Sequence, residues 1–237
     1  LDTLQIVFFR CFFGLFLILI IKPQTLKKNL MTKKISLHFL RSIIGLFAML
    51  LGFWSISLLP LANVTSISFS RILFVIPLAI IIFDEKPSKL IIFSSILGYL
   101  GIVFIVGFEN SNIKFFAYAS AILASILIAL VKILVKILSK TEKTITIQLW
   151  FGIISSFFLL IPILIFWKEI TLFNILFLIL IALLGIISQM LTIWGLKLAD
   201  ATKVMPMDYT RIIFAIIYGY FIFAEIPSKS LIFGISF

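Results

Sequence analysis

From position 4 onward the chain is a succession of apolar stretches, roughly 4–22, 37–59, 62–83, 90–107, 113–138, 145–167, 172–197 and 204–224, with a ninth opening at 229. Most reach the ~20 residues that cross about 30 Å of hydrocarbon as α-helix. Lipid offers no hydrogen-bond partner to backbone N–H and C=O groups, so runs of this kind span as helices. Composition agrees, with 63% hydrophobic and 12% charged residues, against about 45–50% and about 25% in soluble domains. The fold expected is therefore all-α and integral to the membrane.

A second constraint is internal. Residues 51–93 and 191–233 align without a gap at a spacing of 140, and 16 of the 43 positions are identical. The identities include Trp54/Trp194, Arg71/Arg211, Phe74/Phe214, Glu85/Glu225 and Pro-Ser-Lys at 87–89 and 227–229. Shared apolar composition matches Ile with Ile by chance, but it does not match Trp, Arg and Glu in one register. The chain reads as a duplicated membrane unit.

The gaps between apolar runs carry the topology. When they are assigned alternately to the two sides, thirteen lysines fall on one side, from Lys22 to Lys203, and only Lys114, Lys168 and Lys229 on the other. The lysine-rich side is cytoplasmic. Arg71 and Arg211 then lie in the third and eighth helices, an odd number of crossings apart, which inverts the second copy relative to the first. An inverted repeat places a ligand site near the midplane between its halves and permits alternating access by rocking. The first residue is not Met, and both ends fall in or beside apolar runs. We expect a fragment lacking both ends, with eight full helices and the start of a ninth.

The net charge of +11 would suit nucleic acid only if the basic residues shared one water-facing surface. They sit instead in short gaps, where they orient the helices. Lys22 to Lys34 reads as such a solvated loop, with anionic lipid headgroups as a second reading. A single cysteine, Cys11, and a single histidine, His38, leave no disulfide or metal cluster to build, and no cofactor is expected. No phosphate loop, zinc motif or nucleophile-histidine set is present, so an enzyme is not expected.

Arg71 is the leading functional residue, because an arginine in mid-helix costs about 2.5 kcal/mol or more and persists where it meets a cavity, partner or substrate. Arg211 occupies the matched position. Guanidinium forks suit carboxylate or phosphate, so the pair is expected to hold an anionic group of a small metabolite. Asp208 lies three residues before Arg211, where it could neutralise that arginine or carry a coupling proton. Trp54, Trp194, Phe69 and Tyr209 stand at matched places around the arginines and could wall a pocket, although aromatic packing is the plainer reading. Arg10 and Arg41, nearer helix ends, are expected to snorkel. Glu85 and Glu225, just before Pro-Ser-Lys, read as turn-makers rather than a gate, with Ser capping the next helix. Ser94, Ser95, Gly98 and Gly101, and Ala117, Ala121, Ala124 and Ser125, are read first as helix-packing faces.

These residues resemble the EamA-like branch of the drug/metabolite transporter superfamily. The likeness rests on Trp54, Ala62, the run Phe69-Ser70-Arg71-Ile72-Leu73-Phe74, Phe83-Asp84-Glu85 and Gly98-Tyr99-Leu100-Gly101. It is repeated by Trp194, Phe214 and Phe223-Ala224-Glu225, and Arg10 matches an arginine common in the family's second helix. The Phe-Ser-Arg run is nearest to members similar to S-adenosylmethionine uptake carriers. The family often places Pro directly after the position of Arg71, where this chain has Ile72 and Ile212, so no proline kinks the helix there.

The resemblance implies a ten-helix carrier of the cell inner membrane, built from two inverted five-helix units at 1–110 and 111–237. Its expected function is secondary-active transport, by alternating access, of a small metabolite bearing a carboxylate, such as an amino acid or S-adenosylmethionine. A passive channel and a noncatalytic scaffold are the rivals. Expected partners are the substrate, the lipid bilayer, a coupling proton and a second copy of the chain.

Overall fold

The computed structural model describes residues 2–21, 30–106, 112–209, 214, 217–218 and 220–222. Every regular element among them is helical: α1 (Thr3–Ile21), α2 (Ile35–Leu58), α3 (Leu61–Ser68), α4 (Ser70–Phe83), α5 (Lys89–Val106), α6 (Asn112–Ser139), α7 (Thr144–Ile165), α8 (Leu172–Leu198) and the short α9 (Ala201–Val204), followed by a 3₁₀ turn at Met205–Tyr209. Most expected boundaries hold to within two residues. The third apolar run differs, being split into α3 and α4. The eighth run falls mostly outside the described residues, as does the ninth.

Six described segments are long and apolar enough to cross a membrane: Thr3–Ile20, Ile35–Leu58, Asn63–Phe83, Phe115–Ser139, Thr144–Ile165 and Leu172–Leu198. Their surfaces reverse the pattern of a soluble protein. α8 exposes Leu172, Phe173, Leu176, Leu180 and Leu184, whereas Gln5, His38, Ser42, Gln148 and Ser155 are buried. Lipid accepts apolar side chains as readily as a core does, so polar groups are the ones driven inward. The protein is a multi-pass membrane protein.

The chain forms two compact units, Leu1–Leu50 with Leu134–Leu198, and Leu51–Ile133 with Ala199–Phe237. In the first, α1 packs on both α7 and α8, around Ile18, Leu149 and Ile186. A methyl group on Gly152 would meet the Leu15 side chain at 3.1 Å, so glycine is what lets α1 and α7 approach this closely. Gln5 Nε2 donates to the Lys168 carbonyl at 2.6 Å, and Lys168 pairs with Asp2 at 3.4 Å. These contacts tie the start of α1 to the α7–α8 turn.

In the second unit α4 packs on α5, α9 and the 3₁₀ turn, and α3 on α5. The small face of α6 is buried at Ala117, Ala121, Ala124 and Ser125, as its composition predicts. Asn63 Nδ2 donates to the Tyr118 hydroxyl at 3.3 Å, joining α3 to α6.

Candidate substrate site

The site in the second unit begins with a broken helix. Thr65 and Ser68 turn their hydroxyls back onto the carbonyls of Leu61 and Thr65, at 2.7 Å each, a habit that bends helices. The backbone then tightens, with Ile72 N–H donating to the Phe69 carbonyl at 2.9 Å. Helix regularity thus lapses at Phe69 without the proline the family often carries, and the only proline inside α4 is Pro77, further on. Ser125 on α6, read from sequence as a packing residue, also sets its hydroxyl 3.2 Å from the Ile67 carbonyl at the break. The second copy is irregular at the matched place: its α9 gives way to the 3₁₀ turn ending at Tyr209.

Arg71 projects from the first turn after the break and is only 4% exposed. Its Nε donates to Asp208 Oδ2 at 3.1 Å. Its Nη2 lies equally close to that oxygen but off the hydrogen-bond axis. Asp208 is 18% exposed. From sequence, Asp208 could neutralise Arg211, which lies outside the described residues; the structure brings Asp208 to Arg71, 137 residues away. Phe69, two residues before Arg71, is buried.

Trp54, in the same unit, is 41% exposed, and Trp194 belongs to the other unit and is 57% exposed. Arg211 and Glu225 lie outside the described residues, as does the side chain of Tyr209.

Glu85 takes a role the sequence reading did not give it. Asp200 stands at the N-cap position of α9 but makes no side-chain cap bond; its carboxylate pairs with Lys203 at 2.9 Å, which holds the Lys203 ammonium above its usual range. The orphan N–H groups of Ala201 and Thr202 go to Glu85 Oε1 and Oε2, at 3.0 and 2.9 Å. A carboxylate there also faces the positive end of the helix. The turn itself forms as expected: Asp84 closes α4 in the left-handed region at φ 55°, and Ser88 Oγ caps α5 by accepting from Ile91 N–H at 3.3 Å.

The first unit holds a polar cluster that the sequence reading passed over. Arg41, expected to snorkel, is 3% exposed. Its Nη2 donates to Gln189 Oε1 at 3.3 Å, and its guanidinium lies 4.1 Å over the Phe151 ring. Gln148 and Gln189, two amides inside otherwise apolar helices, were the signal that could have located it.

Residues 1–107 and 115–237 match the pattern of the EamA-like transporter family. The chain belongs to that family. Among curated relatives of this EamA-like transporter, the S-adenosylmethionine uptake transporter of Rickettsia bellii is 27% identical over 99% of this chain and 80% of its own length. The protein of the same name from Rickettsia prowazekii is 25% identical over 99% and 79%. An uncharacterized transporter of Helicobacter pylori is 26% identical over 93% and 77%. A crystal structure sharing 14% identity superposes with a TM-score of 0.75 over all of this chain and 84% of that one, which establishes the likeness of fold.

Proposed function

We propose that this EamA-like transporter is a secondary-active carrier of the inner membrane, working by alternating access on a small metabolite that bears a carboxylate, with S-adenosylmethionine first among candidates. The observation that carries the reading is the pairing of buried Arg71 with part-buried Asp208 beside a broken helix. The substrate carboxylate competes with Asp208 for the Arg71 fork, and Asp208, once released, is free to take the coupling proton. Arg211 serves as the matched group from the second copy. Phe69 and Tyr209 flank the arginines, while Trp54 and Trp194 contribute exposed aromatic faces. The names of the rickettsial relatives support the substrate class.

Two features support the inverted repeat of 1–110 and 111–237 that this mechanism uses. Helix regularity lapses at matched places, Phe69 and Met205–Tyr209. Each compact unit also pairs a segment with its counterpart 140 positions on: Leu1–Leu50 corresponds to 141–190, and 199–237 to 59–97.

Counterflow tests the proposal. Proteoliposomes preloaded with unlabelled S-adenosylmethionine are expected to accumulate external label transiently, and no accumulation would refute the substrate. Arg71→Gln is expected to abolish counterflow, but it also takes the Arg71 partner from the part-buried Asp208 carboxylate and so lowers stability. The double variant Arg71→Gln/Asp208→Asn removes that charge, so it is expected to fold normally and still not transport. Wild-type transport by the double variant would sink the site. Asp208→Asn alone is expected to retain exchange and lose proton-driven accumulation.

A further inference from the structure

We propose that Glu85 is a gating residue at the cytoplasmic end of the second unit: it holds α4 to α9 in the closed state, and it yields α9 to Asp200 when that end opens. Such a gate presupposes the alternating access proposed above. α4 belongs to the first sequence copy, and α9 with its 3₁₀ continuation belongs to the second. Polar side chains join them at two levels. Arg71, at the start of α4, meets Asp208 on the 3₁₀ turn, and Glu85, just past the end of α4, meets the first turn of α9. Lys86, Lys89, Lys197 and Lys203 place the second contact on the cytoplasmic side. A ligand leaving Arg71 for the cytoplasm between these segments therefore requires Glu85 to let go.

The first turn of α9 shows what takes over. The Asp200 carbonyl accepts the N–H groups of Lys203 and Val204, each at 3.1 Å, which leaves those of Ala201 and Thr202 to be met by side chains. Both go to Glu85. Asp200 nevertheless stands at the N-cap position with the extended backbone that N-cap residues adopt, φ −63° and ψ 144°. Side-chain rotation alone would bring its carboxylate to Thr202 N–H, the usual N-cap bond. Its carboxylate lies instead 2.9 Å from Lys203, with Lys203 70% and Asp200 50% exposed, and exposed ion pairs of this kind are weakly held.

Two carboxylates thus contend for one pair of donors. Glu85 comes from the other sequence copy and closes the cytoplasmic end; Asp200 comes from the segment itself and caps α9 once Glu85 has left. A cap that served structure alone would be met by Asp200 and would need no carboxylate from 116 residues earlier.

The test is a distance measurement by pulsed electron paramagnetic resonance on the full chain in lipid nanodiscs. Spin labels are attached at Lys86→Cys and Ala199→Cys in a Cys11→Ser background; both positions are exposed and flank the Glu85 contact. Two distances are expected, and Glu85→Gln should raise the ratio of long to short about tenfold. Lys203→Gln, with Glu85 intact, frees Asp200 and should raise the ratio severalfold. Asp200→Ala removes the competitor and should lower it. The last two changes affect exposed side chains, so they decide the matter even where Glu85→Gln fails to fold.

A single distance that no variant moves, or a ratio that responds to Glu85→Gln alone, would overturn the gate. The labels report opening without any substrate. Shifts in the expected directions alongside failed counterflow would leave the gate standing and discard S-adenosylmethionine, whereas a fixed distance alongside active counterflow would discard the gate alone.

Discussion

Arg71 and Arg41 are the same residue type in similar apolar sequence, and the structure gives them different partners: a carboxylate 137 residues away for one, an amide and an aromatic ring for the other. Sequence marked Arg71 as costly in a helix and expected Arg41 to snorkel, but partner choice depends on which side chains arrive from other segments. The glycines offer a test at this scale. A methyl group at Gly52 meets nothing within 4 Å, so Gly52→Ala should gain about 0.5–1 kcal/mol from helix propensity alone. At Gly185 the same methyl group collides with the Arg10 guanidinium. Moving that group offsets the propensity gain, so Gly185→Ala should fall below Gly52→Ala in stability by about 1 kcal/mol or more. Equal melting temperatures for the two variants would contradict the placement of Arg10.

The elements carry two lessons about what periodicity leaves out. Helix positions were legible because apolar runs of spanning length have few other folds, yet the interior face of each helix was not, since lipid and core both select Leu, Ile and Phe. The break at Phe69 was equally hidden: it arises from hydroxyls turned onto the preceding turn and from a tighter backbone bond, not from a proline in the expected place. Glu85 shows the same limit for caps. Local sequence offers Asp200 to α9, but Asp200 is held by Lys203 and the cap comes from 116 residues earlier. Glu85→Gln, which keeps an acceptor but loses charge, should cost about 1–2 kcal/mol in thermal unfolding. Glu85→Ala, which leaves two buried N–H groups unmet, should cost about 2–4 kcal/mol. Equal effects from both variants would mean that the carboxylate does not cap α9.

For the whole molecule, the lysine bias makes a prediction that labelling can check. On a Cys11→Ser background, Thr141→Cys in the α6–α7 turn should react with an impermeant thiol reagent only after permeabilisation, and Glu169→Cys in the α7–α8 turn should react in intact cells. The reverse pattern would invert the topology. Sequence by itself determined the membrane class, the positions of the spans among the described residues and the family, because the cost of unpaired backbone in lipid leaves helices as the form such runs take and because Trp, Arg and Glu stand in the register that family shows. Only the tertiary structure decided which buried charges meet. An arginine in an apolar helix must find a partner, but its identity is a matter of distance between segments far apart in the chain. That is why Asp208 is bound to Arg71, and why the cluster around Arg41 came to light only when α1, α2, α7 and α8 were assembled.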